Sequence, residues 1–184
     1  MNILNSSIED IDEIFRLYRI ATSYMASRSV VSWPEFDRNM VEQEIEANHQ
    51  WKMVENNQVI CIWATTFSDP LIWEKKNGDP SIYIHRIATH PGFRGRNLVV
   101  SILDWAKEFA KANNKKFIRL DTVGENQGLI KHYQQCGFNF LGLHKLNNTD
   151  GLPAHYKNAS VSLFEIELKN EVNHLSISLS SRAC

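Results

Sequence analysis

The sequence predicts a mixed α/β domain in which helices pack against a central sheet. Three observations carry that expectation. Apolar residues recur at helical spacing in some stretches and at strand spacing in others. The elements run as two helices, a hairpin, then strand–helix–strand–helix–strand–strand. The stretch 82–121 forms one strand–helix–strand crossover, a unit that is right-handed and places its strands side by side and parallel.

The elements follow in order. "SSIEDIDEIFRLYRIATSYM" offers Ser6 or Ser7 as a cap, acidic residues in the first turn, and Ile8, Ile11, Phe15, Leu17 and Tyr18 at helical spacing. "WPEFDRNMVEQEIEANH" predicts a second helix from about Pro34, with Met40, Val41 and Ile45 facing inward. "QWKMVENNQVICIWATTF" predicts two strands joined at Asn56 and Asn57, residues that tolerate the left-handed backbone of a tight hairpin. "SDPLIWEKKNGDP" is polar and turn-rich, so a surface loop is expected over 68–80. "SIYIHRIATH" predicts a strand, and its alternation places His85 on one face with Tyr83 and Ile87. The next helix carries Leu98, Ile102, Trp105 and Phe109 in one stripe. "KKFIRLDTV" is a strand, and "NQGLIKHYQQCGF" is a helix closed by Gly137. "FNFLGLHKL" and "VSLFEIEL" are closing strands.

The 184 residues suit a single domain over 1–168, followed by a tail over 169–184 that is either strand or loose. With 20 basic and 21 acidic residues the net charge is -1, which argues against a general polyanion binder, so no nucleic-acid partner is expected. Cys61, Cys136 and Cys184 show neither metal-ligand nor redox spacing, which fits a reducing, cytoplasmic setting. The first 15 residues lack a basic n-region and are not expected to act as a secretory signal. No apolar run reaches the roughly 20 residues of a membrane span, so no membrane partner is expected. The scattered histidines include no HExxH, so no metal site is expected.

"HPGFRGRNLVVSIL" over 90–103 places a flexible, cationic turn at the start of a helix. Helix starts leave N–H groups without partners, and the macrodipole is positive there. Gly95 allows close backbone approach, and Arg94 and Arg96 suit phosphate oxygens. The stretch is neither a Walker A loop nor a dinucleotide fingerprint. On its own it fits a solvated loop as readily as a phosphate cradle.

With the rest of the chain it resembles the GNAT (Gcn5-related) N-acetyltransferase family. "PGFRGRNLV" is similar to that family's acetyl-CoA loop, and Asn126, Tyr133, Gly137 and Phe138 match a second signature. The resemblance runs from Met1 to about Leu168. It implies a mostly antiparallel sheet flanked by helices, with the parallel strand–helix–strand unit at its centre. It implies acetyl-CoA as co-substrate and transfer to a primary amine by direct attack in a ternary complex, without an acyl-enzyme. The pyrophosphate would sit on the N–H groups of Arg94, Gly95, Arg96, Asn97, Leu98 and Val99. Ile87, Ala88 and Thr89 would pair with pantetheine through their backbone. Asn126 would contact the cofactor or fix the path of the following helix.

By the same resemblance Tyr133 is the general acid. His85 is a candidate base, as in the arylalkylamine branch, whereas other branches use a glutamate or relayed water; a structural histidine is the alternative. Asp121 caps a turn or orients a base, and Glu74 is a weaker base candidate. Cys136 is read as packed and His90 as a turn residue. Asn97 and Val99 occupy positions where the family carries small residues, which leaves a non-catalytic acyl-CoA-binding domain as one alternative. The acceptor would meet the stretch 23–46, where Tyr24, Met25, Trp33 and Phe36 mix with five carboxylates. These carboxylates are either a solvated helix face or the rim of a pocket for a small amine. A small-molecule acceptor is expected, with a protein or peptide acceptor as the other alternative, and a monomer or homodimer.

Overall fold

Among the described residues seven strands form one sheet, in the order β1 (Asn2–Asn5), β2 (Gln50–Glu55), β3 (Gln58–Thr66), β4 (Ser81–Thr89), β5 (Phe117–Val123), β7 (Ser160–Glu167) and β6 (Asn139–Lys145). The computed structural model describes residues 1–28, 31–157 and 159–169. In chain order the elements are β1 (Asn2–Asn5), α1 (Ile11–Ser27), α2 (Arg38–Glu46), β2 (Gln50–Glu55), β3 (Gln58–Thr66), α3 (Pro70–Trp73), β4 (Ser81–Thr89), α4 (Leu98–Ala112), β5 (Phe117–Val123), α5 (Gln127–Gln135), β6 (Asn139–Lys145) and β7 (Ser160–Glu167). All neighbouring strands are antiparallel except β4 and β5, as the crossover over 82–121 predicts. The expected strand or loose tail lies, beyond Lys169, outside the described residues.

Local chemistry sets the element ends. The Ser7 N–H donates to Asp10 Oδ2 at 2.7 Å and so ties down the entry to α1. Asp37 is extended and accepts from the Asn39 N–H, so α2 begins at Arg38 rather than at Pro34. Asn56 and Asn57 both adopt positive φ in the hairpin between β2 and β3. Gly137, at φ 105, closes α5.

Two departures from the expected organisation stand out. The strand β1 was not foreseen; it pairs at the edge with β2 through four residues. The expected surface loop over 68–80 is folded instead, into α3 and a 3-10 turn over Glu74–Gly78. Ile72 and Trp73 are both buried there, packed with Tyr83, Leu146, Val161 and Leu163.

Helices cover both faces of the sheet. On one face α1 and α2 bury Ile11, Ile14, Leu17, Val41 and Ile45 against Ile62 and Ala88. On the other, α4 and α5 pack Leu98, Ile102, Ala106 and Ile130 against Trp63, Ile82, Ile84 and Phe164. The central strands are therefore covered on both sides, and β3 reads as a continuous apolar run for that reason.

Candidate active site

The site begins where the sheet parts. The strands β4 and β5 pair only from Ser81 to Tyr83, opposite Phe117 to Arg119. Beyond Tyr83 the β5-facing backbone of β4 has no strand partner, while β5 stays paired with β7 along its length. The ladder with β3 also shifts: Ile62 pairs with Ala88 and Ala64 with His85, so Arg86 and Ile87 together oppose Trp63. Arg86 takes φ +53, a conformation that costs a non-glycine residue about 1–2 kcal/mol. Glu44 pairs with its guanidinium, which also lies 5.2 Å from the centroid of the Phe36 ring. The bulge corrects the expected alternation. His85 shares the α1–α2 face with Tyr83, whereas Ile87 turns to the α4 side.

The turn after β4 is built on strained backbone. His90 Nδ1 accepts from the Gly92 N–H at 3.2 Å, so His90 is a turn residue, as expected. Gly95 stands at φ +78 and Asn97 at φ +53, just before α4. The Arg94 N–H is taken by the Pro91 carbonyl and the Val100 N–H by the Asn97 carbonyl. Between them, the N–H groups of residues 95–99 donate to no backbone carbonyl among the described residues. Such a run at a helix start is an anion seat. Asn97 supplies the left-handed turn that a glycine would, and Val99 packs into the α4 core. Leu98 is buried beneath the turn. The two arginines are already engaged: Arg94 lies 3.9 Å from the centroid of the Tyr24 ring, and Arg96 forms a double ion pair with Glu55. Gly95→Pro removes one N–H and cannot reach positive φ, so it is expected to weaken CoA binding at least roughly tenfold with the fold intact. Calorimetric titration measures this, and an unchanged affinity would place the anion elsewhere.

A cavity of about 780 Å³ lies at the gap between β4 and β5 and is lined from both faces of the sheet. Ile84, Ile87, Leu120 and Tyr133 line it from the α4–α5 side. His85, Asp69, Asp121 and Tyr156 line it on the other side, where Tyr24, Trp33 and Phe36 complete the wall. Asn126 Oδ1 caps α5 by accepting from the Leu129 N–H at 3.1 Å, so it fixes the path of that helix while lining the cavity. Tyr133 packs against Phe138 and Phe164, and burial raises its phenol above the ordinary range, so it is protonated at neutral pH. Ala88 is buried under α1 and α2, and Thr89 Oγ1 lies 3.5 Å from Cys61 Sγ, which leaves their backbone rather than their side chains available.

Composition and spacing gave no sign of Asp69. Its Oδ2 lies 3.5 Å from His85 Nε2, and Asp121 Oδ1 lies 3.9 Å from His85 Nδ1. Burial, then the Asp121 carboxylate, push Asp69 up to about 7. Burial pushes Asp121 up to about 6, against the hydrogen bond from Tyr156. Burial and the adjacent Arg86 push His85 down to about 4. Among the described residues these three are the only His, Cys, Asp and Glu donors clustered so closely. Because His85 turns opposite ring nitrogens to the two oxygens, the arrangement suits proton sharing better than chelation of one cation. Glu74, the weaker base candidate, stands elsewhere, where it holds Asn147 and His144, and Cys136 sits near His132 on α5.

The raised carboxylates link stability to pH. A carboxyl whose folded pKa exceeds its unfolded value contributes stability below the ordinary carboxylate range and loses it as pH rises through about 6 to 7. His85 acts oppositely: its contribution is present above the ordinary histidine range and is lost as pH falls through about 4. Asp69→Asn is therefore expected to stabilise the free protein more at pH 8 than at pH 5, by roughly 2 kcal/mol. Denaturant unfolding at the two pH values checks this, and equal effects would leave Asp69 ionised throughout.

The acetyltransferase (GNAT) family model matches residues 11–138. The chain belongs to the GNAT family. The family uses acetyl-CoA as co-substrate. The chain is 26% identical over 142 residues to the uncharacterized N-acetyltransferase YesJ of Bacillus subtilis, an alignment covering 73% of this chain and 79% of that protein. Its fold is similar to a GNAT acetyltransferase of Listeria monocytogenes, with a TM-score of 0.72, 23% identity, and coverage of 91% and 94% of the two chains. It is also similar to yncA, a putative acetyltransferase of Salmonella typhimurium solved with acetyl-CoA, at a TM-score of 0.64, 15% identity, and coverage of 93% and 95%. Among the described residues no helix is long and apolar enough to cross a membrane.

Proposed function

We propose that this GNAT protein transfers the acetyl group of acetyl-CoA to the primary amine of a small molecule, by direct attack in a ternary complex. The observation that carries the reading is the shape of the acceptor side. Ile72 of the folded segment Pro70–Gly78, Asp69 just before it and the aromatic residues Trp33 and Phe36 wall the cavity, where a peptide acceptor would want an open groove across the sheet.

The roles follow from position. Pyrophosphate sits on the free N–H groups of residues 95–99, and pantetheine pairs with the unpartnered edge of β4 at Ile87, Ala88 and Thr89. The thioester then lies in the gap, with the Tyr133 hydroxyl on the α5 side and the acceptor on the His85 side. Holding both reactants there supplies proximity. Tyr133 protonates the departing sulfur, and the amine loses its proton towards His85 and its two carboxylates.

Release of free CoA thiol, followed with a thiol reagent, tests this. A set of small primary amines is expected to elicit release, and short peptides with free N-termini are not. Peptide-only turnover would favour a protein acceptor, and CoA binding without release by any amine would favour a binding domain.

A further inference from the structure

Among the described residues, two carboxylate oxygens on the acceptor side of the cavity have no hydrogen-bond partner. The Asp121 side chain is 1% exposed; its Oδ2 accepts from the Tyr156 hydroxyl at 2.9 Å, while Oδ1 has no hydrogen-bond partner. Asp69 mirrors it across the His85 ring, with its buried Oδ2 also unpartnered. A buried acceptor without a donor is destabilising, and two like charges near one ring are more so. A compact cation with several N–H donors, such as an alkylammonium, would satisfy both oxygens.

Resting on the transferase reading above, we propose that Asp69 and Asp121, with His85 between them, bind the acceptor's ammonium and that Asp69 takes its first proton. The rest of the cavity narrows the class of acceptor. Tyr24, Met25, Trp33 and Phe36 offer apolar and aromatic surface, and Glu44 is occupied by Arg86. Among the described lining residues no further carboxylate is open to a second ammonium, so the acceptor is a monoamine with an apolar or aromatic body.

The proton count closes. The ammonium gives one proton to Asp69, and the neutral nitrogen attacks the thioester carbonyl carbon. The C–N bond forms and the C–S bond breaks. Tyr133 passes its proton to the sulfur and is restored by the second proton leaving nitrogen. The proton on Asp69 goes to solvent, leaving amide and CoA thiol.

Within the cluster the Asp121 carboxylate raises Asp69. The charged and titratable groups facing it are Arg86 on β4 with its partner Glu44 on α2, Tyr18 on α1 beside Arg86, Tyr133 on α5, and His155 and Tyr156. Burial sets the raised carboxylates, and a bound ammonium favours their ionised form.

Calorimetry with 2-phenylethylamine tests the proposal, on the free protein and on the CoA-saturated protein, from pH 5 to pH 8. Wild-type affinity is expected to rise with pH through about 6 to 7, and the uncharged analogue 2-phenylethanol is expected to bind at least roughly tenfold more weakly. Asp69→Asn and, independently, Asp121→Asn are expected to lose at least roughly tenfold in amine affinity and to flatten its pH dependence, with CoA affinity unchanged. Four results would overturn it: no amine binding to the wild type, equal binding of amine and alcohol, unchanged amine affinity in variants that still bind CoA, or stoichiometric zinc binding that both variants abolish while amine affinity stays. A wild type that binds the amine but no CoA would instead refute the transferase reading alone.

Discussion

Tyr133→Phe is expected to lower turnover by roughly ten- to a thousandfold while leaving acetyl-CoA affinity unchanged. The substitution keeps the ring that packs against Phe138 and Phe164, at centroid distances of 5.8 Å and 5.1 Å, and removes one hydroxyl from the cavity wall. The loss corresponds to about 1.4 to 4 kcal/mol of transition-state stabilisation. A phenol raised by burial stays protonated across the working range, so the defect should not depend on pH between 6 and 9. Single-turnover mixing with acetyl-CoA and a saturating amine separates chemistry from product release. If the variant matches the wild type in single turnover, another group protonates the sulfur. If the defect is confined to the KM for acetyl-CoA, Tyr133 is a cofactor contact and no more.

The positions of Tyr133 and of the turn before α4 could be read from the chain because they are local. Arg94 to Val99 lie on one strand–helix junction, and Asn126, Tyr133 and Gly137 lie on one helix with its cap and its stop. Short-range spacing fixes both, and the structure places them on the same cavity or at the same helix start. The surroundings of His85 were less legible because they are assembled across the sheet. Asp121 reaches His85 only because β4 and β5 run parallel and then part, and Asp69 reaches it only because the segment after β3 folds back. That segment looked polar because Ile72 and Trp73 sit among lysines, aspartates and glycine, and single apolar residues in such surroundings carry no period. Alternation failed at Arg86 for a related reason. A bulge stabilised by Glu44 and aromatic rings from other elements leaves no local mark. The edge strand β1 is too short for a period-2 pattern to emerge.

The buried Arg119 binds that folded segment to the sheet, and its loss is expected to be the most destabilising single change considered. The side chain is 0% exposed. Its guanidinium pairs with Asp79 and Glu165 and donates to the Lys76 carbonyl, and it lies 4.9 Å from the centroid of the Trp73 ring. The fork therefore clamps the end of the 3-10 turn to β5 and β7 at once, a geometry that suits guanidinium better than ammonium. Arg119→Ala leaves the buried side of Glu165 facing only Lys76 Nζ at 3.6 Å, and opens a void beneath Trp73. Breaking a buried pair from one side costs about 3–5 kcal/mol, a large share of the roughly 5–15 kcal/mol that holds a domain together. Urea unfolding should show the unfolding free energy falling by that amount, and Arg119→Lys should recover only part of it. The functional consequence is directional. Releasing the turn frees Asp69 at its start but leaves the residues 95–99 untouched, so amine affinity should fall in conditions where CoA affinity survives. A variant that keeps wild-type stability, or loses both affinities together, would show that Arg119 does not act through the segment carrying Asp69.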